Sequence, residues 1–196
     1  MLYSDNHLVT VVVLCYCQID FIEQTINSLL SQDVNFNYKI LVCDDGSFDG
    51  TSELLSALYK NNDQVGLILR KKNIGMMPNF IDALNRCDSK YIAFCDGDDY
   101  WIDNYKLSNQ VKILDQQSNV DITSTKALLK YPDSNKLFKN KDTSYKQYFT
   151  FSELLKGNKV IASSVVMRNY KTFMPDWTFN AVFGDWPYYL LSMNPK

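Results

Sequence analysis

The chain has 196 residues, the length of one domain with a substantial core, and its 46% hydrophobic and 21% charged content is ordinary for a folded protein. The net charge of −2, without a basic stripe, excludes nucleic acid as the main partner. The longest apolar run, residues 9–17, is interrupted by Thr10 and is far shorter than the ~20 residues that span a bilayer. Residues 1–7 are polar and lack a basic stretch, so we expect no signal peptide and a cytoplasmic protein.

Cysteine and histidine usage narrows the possible chemistry further. The five cysteines are an odd number without a CxxC pair, which suits neither a disulfide framework nor a zinc site. Most of them fall at the ends of predicted strands, where we expect small buried side chains. His7, in the N-terminal tail, is the only histidine, which excludes Ser-His-Asp and Cys-His catalysis as well as histidine-rich metal sites.

The first half of the chain alternates apolar, β-branched runs with amphipathic helical patterns. Asp20 and Glu23 have the spacing of a helix N-terminus, which predicts a first helix from there to about Gln32. Pro78 suits the first turn of a third helix that ends near Arg86. The βαβαβαβ order predicts an α/β fold with a mostly parallel sheet and helices on both faces. The predicted strands are residues 9–16, 38–43, 65–70 and 91–95, and the second and fourth helices are predicted around residues 54–58 and 107–114.

The pattern loosens from about Val120. Residues 131–148 are polar and rich in lysine, so we expect a mobile excursion from the fold there. Three further elements are predicted: a short helix after the capping box of Thr150 and Glu153, a strand at 160–167, and a last helix with Asp185 as its N-cap and Pro187 in its first turn.

Three carboxylates, Asp96, Asp98 and Asp99, directly follow the predicted buried strand 91–95. Adjacent carboxylates repel each other, and each raises the pKa of the others, so this arrangement does not serve stability. A hard divalent cation such as Mg²⁺ or Mn²⁺ removes the conflict, because it binds one or two carboxylates and leaves positions for water and substrate phosphates. The alternative interpretation is a solvated acidic turn.

Two other polar groups follow predicted strands. Tyr16 follows the first strand, and Asp44 and Asp45 follow the second. In open α/β sheets ligands bind outside the carboxyl ends of the strands, so these side chains and the acidic stretch are expected at one site. Each has an ordinary alternative, since Asp and Gly dominate turns and a lone tyrosine is often a core residue.

Taken together, these motifs resemble glycosyltransferase family 2, the inverting transferases of GT-A fold, which is a Rossmann-like three-layer α/β/α sandwich. The resemblance extends from Val9 to about Pro187 and implies a single domain over residues 1–196, with a donor-binding half at about 1–100 and an acceptor-side half at about 101–196. It rests on Val11-Val-Val-Leu-Cys-Tyr16, Ile40-Leu-Val-Cys-Asp-Asp-Gly-Ser47, Asp49-Gly-Thr51, Asn73-Ile-Gly75, Phe94-Cys-Asp-Gly-Asp-Asp-Tyr-Trp101, Ser163-Ser-Val-Val-Met-Arg168 and Gly184-Asp-Trp186.

The resemblance implies roles for the donor-side residues. Asp45, the second acid after strand two, would bind the pyrimidine base, with the turn at Tyr16 and with Asn73 nearby, and Asp44 is counted with it among the substrate-binding residues. An Asp-x-Asp element would hold the ribose, the sugar and a metal-bound diphosphate. Its members are Asp96 and Asp98, with Asp99 adjacent, and all three are candidate Mn²⁺ or Mg²⁺ ligands.

The resemblance also implies that Asp185 is the general base. At a helix N-terminus its carboxylate would stay ionised at neutral pH, because the helix dipole favours the anion. The alternative is a plain N-cap. Trp186 is a candidate platform for the acceptor sugar, and a core position is the equally open alternative.

The implied function is a metal-dependent inverting transfer from a UDP- or dTDP-sugar to a glycan or lipid-linked saccharide in surface polysaccharide biosynthesis. Peripheral contact with the inner face of the membrane stays open. Two departures from the family pattern are Leu14-Cys-Tyr-Cys17 in place of Pro-Thr-Tyr-Asn, and an end at Lys196 where relatives commonly continue. Either the sequence is part of a longer chain, or its acceptor site is minimal or borrowed, and this end leaves a nucleotide-sugar-binding module without catalysis as an alternative. A nucleotidyltransferase is a second, but the chain lacks a glycine-rich basic loop after strand one.

Overall fold

The computed structural model describes residues 7–131, 137–139, 148–182 and 184–193 of the chain. Its strands are β1 Val9–Cys15, β2 Tyr38–Asp44, β3 Val65–Leu69, β4 Tyr91–Asp96, β5 Ile122–Thr123, β6 Leu128–Lys130, β7 Leu137–Lys139 and β8 Val166–Arg168. Its α-helices are α1 Ile22–Leu30, α2 Thr51–Tyr59, α3 Met76–Asn85, α4 Lys106–Gln116, α5 Phe151–Leu155 and α6 Asp185–Ser192, and two 3₁₀ helices lie at Ala162–Ser164 and Asp176–Asn180. No helix within these residues is long and apolar enough to cross a bilayer.

Six strands form one sheet in the order β3-β2-β1-β4-β8-β5. The first four strands of the chain run parallel, and β1 lies between β2 and β4. Strand β8 runs antiparallel to both β4 and β5. The prediction of a mostly parallel sheet is therefore confirmed. Strands β6 and β7 form a separate antiparallel pair.

Helices cover both faces of the sheet, as the sequence predicts. On one face, Val11 and Val13 of β1 pack in a cluster with Ile26 of α1, Leu55 of α2 and Leu107 of α4. Successive strand residues point to opposite faces, so Val12 belongs to the other layer. Both faces of the central strands are buried, which is why these strands are continuous apolar runs rather than alternating ones.

The second layer contains α3, α5 and α6. One buried cluster contains a residue from each of these helices, together with Val12 of β1. These residues are Phe80, Leu154 and Tyr188. Phe80 and Tyr188 meet edge to face, with ring centroids 5.8 Å apart. The helix at the end of the described chain is thereby packed against a helix from the first half, which brings Asp185 towards the ends of the parallel strands.

Two predicted helix caps are wrong. Helix α1 has Phe21 at its N-cap without a side-chain cap, because the preceding turn is closed by the carbonyl of Gln18, which accepts from the amides of Phe21 and Ile22. Helix α6 has Gly184 at its N-cap, so Asp185 is its first residue. A Cβ on Gly184 would lie 2.6 Å from Met77 Sδ, which explains why glycine stands at this close contact. The capping box of α5 is confirmed in both of its hydrogen bonds.

The strand predicted at residues 160–167 is mostly wrong. Only its end belongs to β8, because the carbonyls of Ile161 and Ala162 accept from the amides of Ser164 and Val165 and close a 3₁₀ turn instead. The excursion predicted at 131–148 lies largely outside the described residues, although 137–139 within it form β7. The other predicted strands and helices are confirmed to within a few residues at their ends.

Candidate active site

The acidic loop, residues 96–101, begins at the carboxyl end of β4 and is tied down along its length. The amide of Gly97 donates to the carbonyl of Leu14 at 2.9 Å, and the carbonyl of Gly97 accepts from Thr25 Oγ1 at 2.9 Å. The amide of Trp101 donates to Ser28 Oγ at 3.0 Å. A Cβ on Gly97 would lie 2.6 Å from Cys15 Cβ, so the loop needs glycine to pack this closely on β1. The two carboxylates that flank Gly97 are thereby held beside the end of the central strand.

The three carboxylates of this loop have different surroundings. All three residues are exposed, but Asp98 accepts no hydrogen bond within the described residues, whereas Asp99 accepts one from Ser163 Oγ. Partial removal from water, followed by the charges of Asp99, Asp98 and Asp185, raises the pKa of Asp96 to about 6. Negative charge is therefore concentrated around Asp96. Among the described residues, no three carboxylate, thiol or imidazole groups converge as a preformed metal site.

Ser163 is a site residue that the sequence indicated only as part of a family motif. It lies on the 3₁₀ helix Ala162–Ser164, is 8% exposed, and its hydroxyl accepts from the amide of Asp96 at 3.1 Å while bonding to the carboxylate of Asp99. Its carbonyl accepts from Trp101 Nε1 at 2.8 Å. Periodicity could not have found it, because the segment was predicted as a strand.

Asp44, at the end of β2, is fully buried and its hydrogen bonds are made inside the protein. Its carboxylate accepts from the hydroxyls of Ser47 and Ser52, from the amide of Ser47, and from Cys15 Sγ at 3.7 Å. The charge of Asp44 adds to burial, the larger cause, in raising the pKa of the Cys15 thiol. The geometry makes Asp44 the support of the loop between β2 and α2.

Asp45 is 3% exposed, and both of its carboxylate oxygens are engaged by backbone amides. The amide of Ile74 donates to Oδ1 at 2.9 Å, and the amide of Gly75 donates to Oδ2 at 3.0 Å. Asn73 Oδ1 also accepts from the amide of Gly75, at 2.9 Å. The backbone of this second loop passes so close that a Cβ on Gly46 would lie 2.5 Å from the carbonyl carbon of Lys72. Asp45 and Asn73 are therefore neighbours, as expected.

Tyr16 lies at the rim of this region and is 43% exposed. Its ring meets the ring of Phe48 edge to face, with centroids 6.1 Å apart, and Phe48 is itself 83% exposed. The core alternative for Tyr16 is therefore wrong. An exposed aromatic pair thus stands beside the loop that carries Asp45.

Asp185 and Trp186 begin α6. Asp185 Oδ2 accepts from Asn158 Nδ2 at 3.1 Å, and the charge of Asp185 contributes to the raised pKa of Asp96, so these carboxylates are neighbours. Trp186 is partly buried against the cluster of the second layer, and its Nε1 donates to the carbonyl of Leu154 at 2.8 Å. The indole nitrogen is therefore occupied by the fold, which favours the core alternative for Trp186 over an acceptor platform.

All these groups lie around the carboxyl end of β1. The amide of Asp45 donates to the carbonyl of Cys15 at 3.0 Å, while the amide of Gly97 donates to the carbonyl of the preceding residue, Leu14. Consecutive residues of one strand thus hold the loop that carries Asp45 on one side and the acidic loop on the other. This is the crevice at which open α/β sheets bind ligands.

The comparisons with known proteins agree with this arrangement. A family model described as Glycosyl transferase family 2 matches residues 10–172. The chain belongs to this family. An uncharacterised protein of Mycobacterium tuberculosis is 30% identical over 178 residues, which are 90% of this chain and 51% of the relative. The putative teichuronic acid biosynthesis glycosyltransferase TuaG of Bacillus subtilis is 32% identical over 111 residues, which are 57% of this chain and 43% of the relative. The chain spans about half the length of the curated relatives it matches.

Solved structures show the same fold. The crystal structure of S. aureus TarS 1-349 in complex with UDP has a TM-score of 0.70 at 19% sequence identity, and the match covers 93% of this chain and 54% of that one. The mannosyltransferase PcManGT from Pyrobaculum calidifontis, in complex with GDP-Man and Mn²⁺, has a TM-score of 0.54 at 23% identity over 62% of this chain and 36% of that one. The architecture of the chain is the GT-A fold, as the sequence predicts.

Proposed function

We propose that this family 2 chain carries out a metal-dependent, inverting transfer of a sugar from a UDP- or dTDP-sugar to a glycan or lipid-linked saccharide. The observation that carries the proposal is the meeting of Asp45, the acidic loop and Asp185 around the end of β1. The matched relatives support the acceptor class. One is named as a teichuronic acid biosynthesis glycosyltransferase, and an Escherichia coli relative, 33% identical over 112 residues, as the UDP-Glc:alpha-D-GlcNAc-diphosphoundecaprenol glucosyltransferase WfaP.

On the donor side, Asp45 is proposed to recognise the base. An ionised carboxylate offers about four lone-pair sites, and the amides of Ile74 and Gly75 occupy two of them. The remaining sites can accept the N3–H of uracil or thymine. Tyr16 and Phe48 supply apolar surface beside the base, with Asn73 in the same loop as the two amides.

Asp96 and Asp98 fit a divalent cation of the Mg²⁺ or Mn²⁺ type. Both are exposed, and loss of hydration, followed by the negative charges of Asp99, Asp98 and Asp185, raises the pKa of Asp96 to about 6. Such cations usually take only one or two protein carboxylates and complete their shell with water and substrate phosphates, so a preformed cage of three ligands is not required. The chemistry that a bound cation would supply is Lewis-acid stabilisation of the charge that develops on the leaving diphosphate.

On the acceptor side, Asp185 is proposed to take the proton of the attacking hydroxyl. It is the first residue of α6, at the helix end where the backbone N–H groups point outwards. Asn158 holds one carboxylate oxygen at 3.1 Å, which leaves the other oxygen for the acceptor. A lipid-linked acceptor would bring the chain to the cytoplasmic face of the cell membrane as a peripheral protein.

Thermal unfolding with UDP and Mn²⁺ tests the donor site. UDP with Mn²⁺ should raise the melting temperature more than UDP with a chelator, because ligand that binds only the folded state stabilises it by mass action. Asp98→Asn should remove the metal-dependent part of the increase. The control is Asp63→Asn, which changes an exposed carboxylate between α2 and β3. UDP binding that is indifferent to the chelator in the wild-type chain would refute the metal assignment.

Calorimetry with different nucleotides tests the base assignment. UDP and dTDP should bind more tightly than CDP, because cytosine has no proton at N3 and would leave the Asp45 carboxylate facing an acceptor. We expect a difference of about tenfold or more, since an unpaired buried polar group costs about 1–3 kcal/mol. Equal affinities for UDP and CDP would exclude this role for Asp45.

A nucleotide-sugar-binding module without catalysis would give the same results in the thermal unfolding and calorimetry experiments. Hydrolysis of the nucleotide-sugar or its transfer to an acceptor by the purified chain separates the two functions. If the chain binds UDP with Mn²⁺ but neither hydrolyses nor transfers any donor, the binding module is the correct description. A nucleotidyltransferase would instead join a nucleoside triphosphate to a sugar 1-phosphate and release pyrophosphate, which a separate assay with these two substrates detects.

A further inference from the structure

We propose that Ser163 is a positioning residue of the cation site: its hydroxyl holds Asp99 as a brace of the acidic loop, so that Asp96 and Asp98 are the carboxylates left for the cation. This inference rests on the proposed function and deepens it, because it assigns different roles to three neighbouring acids. It also makes a residue of the acceptor-side half responsible for the shape of a donor-side loop.

The direction of the hydrogen bonds at Ser163 follows from elementary chemistry. A serine hydroxyl has one proton to donate and two lone pairs that accept. The amide of Asp96, 3.1 Å from Ser163 Oγ, can only donate, so the oxygen accepts there and its single proton is directed to the carboxylate of Asp99. One hydroxyl thus connects the first and last acids of the loop and fixes the spacing between them.

Ser163 is itself held in place by buried contacts. Ser163 is 8% exposed, and its carbonyl accepts from Nε1 of Trp101, a residue that is 6% exposed. The 3₁₀ turn around it continues into β8, which pairs with β4 directly before the acidic loop. Ser163 and Trp101 are buried, and the acidic loop is hydrogen-bonded at both ends. The Ser163 hydroxyl therefore has a fixed position and can fix the positions of the residues bonded to it.

Asp99 and Asp98 differ in the way the proposal requires. Asp99 uses one oxygen for Ser163, and its carbonyl accepts from Cys95 Sγ at 3.6 Å. Asp98 is exposed and has no hydrogen bond within the described residues, so no protein contact has to be broken before it binds a ligand. Ser163 Oγ accepts from the amide of Asp96, and a hydrogen bond from the same side chain opposes the rise in the pKa of the Asp96 carboxyl.

The test is a Mn²⁺ titration of the UDP-dependent melting temperature in Ser163→Ala. The Mn²⁺ concentration at half-effect should rise by about 10- to 100-fold, the usual consequence of removing an outer-shell partner of a metal ligand. UDP affinity in the presence of a chelator should stay within about twofold of the wild type. The matched control is Ser164→Ala, whose hydroxyl donates to the carbonyl of Ile161 inside the same turn and should leave the half-effect concentration unchanged.

A second variant keeps the proposal testable if Ser163→Ala folds poorly. Asp99→Asn preserves an oxygen that can accept the Ser163 proton, so its half-effect concentration of Mn²⁺ should stay within several-fold of the wild type. Asp98→Asn should abolish the Mn²⁺ effect. A merely structural role for Ser163 would lower the melting temperature without ligand and leave the Mn²⁺ half-effect concentration where it is.

Three results would overturn the inference. The first is a wild-type half-effect concentration in a folded Ser163→Ala. The second is a loss in Asp99→Asn as complete as that in Asp98→Asn, which would make Asp99 a ligand. Both leave the proposed function standing, because the wild-type chain still responds to UDP and Mn²⁺. In the third, the wild-type chain shows no Mn²⁺ response, and the metal-dependent function is refuted together with the inference.

Discussion

The two sides of the crevice differ in how firmly their loops are held. On the proposed donor side, the amides of three consecutive residues, Cys17, Gln18 and Ile19, donate to side chains of the loop after β2 and of the first residue of α2. On the acceptor side, Asp185 accepts one side-chain hydrogen bond, from Asn158, and both residues of that pair are near the surface. The donor side is therefore largely preorganised by the fold, whereas the acceptor side is positioned mainly by helix packing behind it.

This difference predicts that the two sides can be inactivated separately, and Asp185→Asn should show the largest effect. Asparagine keeps the shape of the side chain but cannot take a proton, and loss of a positioned base typically costs about 10²–10⁴ in rate. Transfer should fall by that factor while UDP affinity with Mn²⁺ stays within about threefold of the wild type. Calorimetry and a transfer assay on the same preparation measure both quantities.

Two controls decide how this result is interpreted. Asp176→Asn changes another acid at the start of a helical turn in the same half and should leave transfer unchanged. Asn158→Ala removes only the hydrogen-bond partner and should lower the rate by less than Asp185→Asn. Wild-type turnover in Asp185→Asn with its true acceptor would end the proposal that this residue is the base.

The sequence predicts the donor side well because its signals are local. Continuous β-branched runs mark the buried strands, and Asp44 is a turn former whose carboxylate accepts hydrogen bonds from Ser47 and Ser52, both near it in sequence. The capping box of Thr150 and Glu153 is local in the same sense and is confirmed. Where a residue's partner is near in sequence, the pattern is sufficient.

The acceptor side was predicted less well because its signals depend on distant partners. Residues 160–167 have the composition of a strand, but the segment turns at Ala162 so that Ser163 reaches a loop 64 residues earlier in the chain. Gly184 rather than Asp185 caps α6 because Met77 and Phe80 pack against it. Hydrophobic periodicity carries no information about contacts between distant residues. The strand at 160–167 and the Asp185 cap, which rest on local pattern, are therefore predicted incorrectly.

The second prediction disturbs the donor side alone. Gly46 has φ of +76°, and a Cβ there would lie 2.5 Å from the carbonyl carbon of Lys72 and 2.7 Å from the amide nitrogen of Asn73. Gly46→Ala should therefore cost at least the ~1–3 kcal/mol of a strained backbone, lower the melting temperature by several degrees, and weaken UDP binding by separating Asp45 from the amides it bonds to. Thermal unfolding and calorimetry check both effects.

Gly157→Ala is the matched control for this substitution. Gly157 lies just after α5 on the acceptor side, its φ is not in the left-handed region, and the nearest atom to an added Cβ is Lys159 Nζ at 3.9 Å. It should therefore leave both the melting temperature and UDP affinity close to the wild type. If Gly46→Ala is equally harmless, the donor loop is less rigid than its contacts indicate, and the contrast between the two sides fails.

The last and smallest expected effect concerns Lys106, at the junction of the two sides. It is the first residue of α4 and is 5% exposed. Its Nζ lies 3.9 Å from the centroid of the Trp101 ring and 2.8 Å from Gln110 Oε1. Burial lowers the pKa of Lys106 from 10.5 to about 7, while the charges of Cys95 and Asp103 act in the opposite direction. No carboxylate bonds to this ammonium group within the described residues.

The sign of the pH dependence follows from proton binding. Between pH 7 and about 10.5 the unfolded chain holds the Lys106 proton and the folded chain does not, so the contribution of Lys106 to stability rises with pH across that window and is lost as the pH falls to 7. Lys106→Met removes the buried amine, so the melting temperature of the variant relative to the wild type should be higher at pH 7 than at pH 10. Lys112→Met, on the exposed side of the same helix, removes no buried amine and is the control. If the difference in melting temperature between Lys106→Met and the wild type is constant from pH 7 to 10, Lys106 keeps its proton in the folded state. The Trp101 ring and Gln110 would then compensate for the lost hydration of the ammonium group.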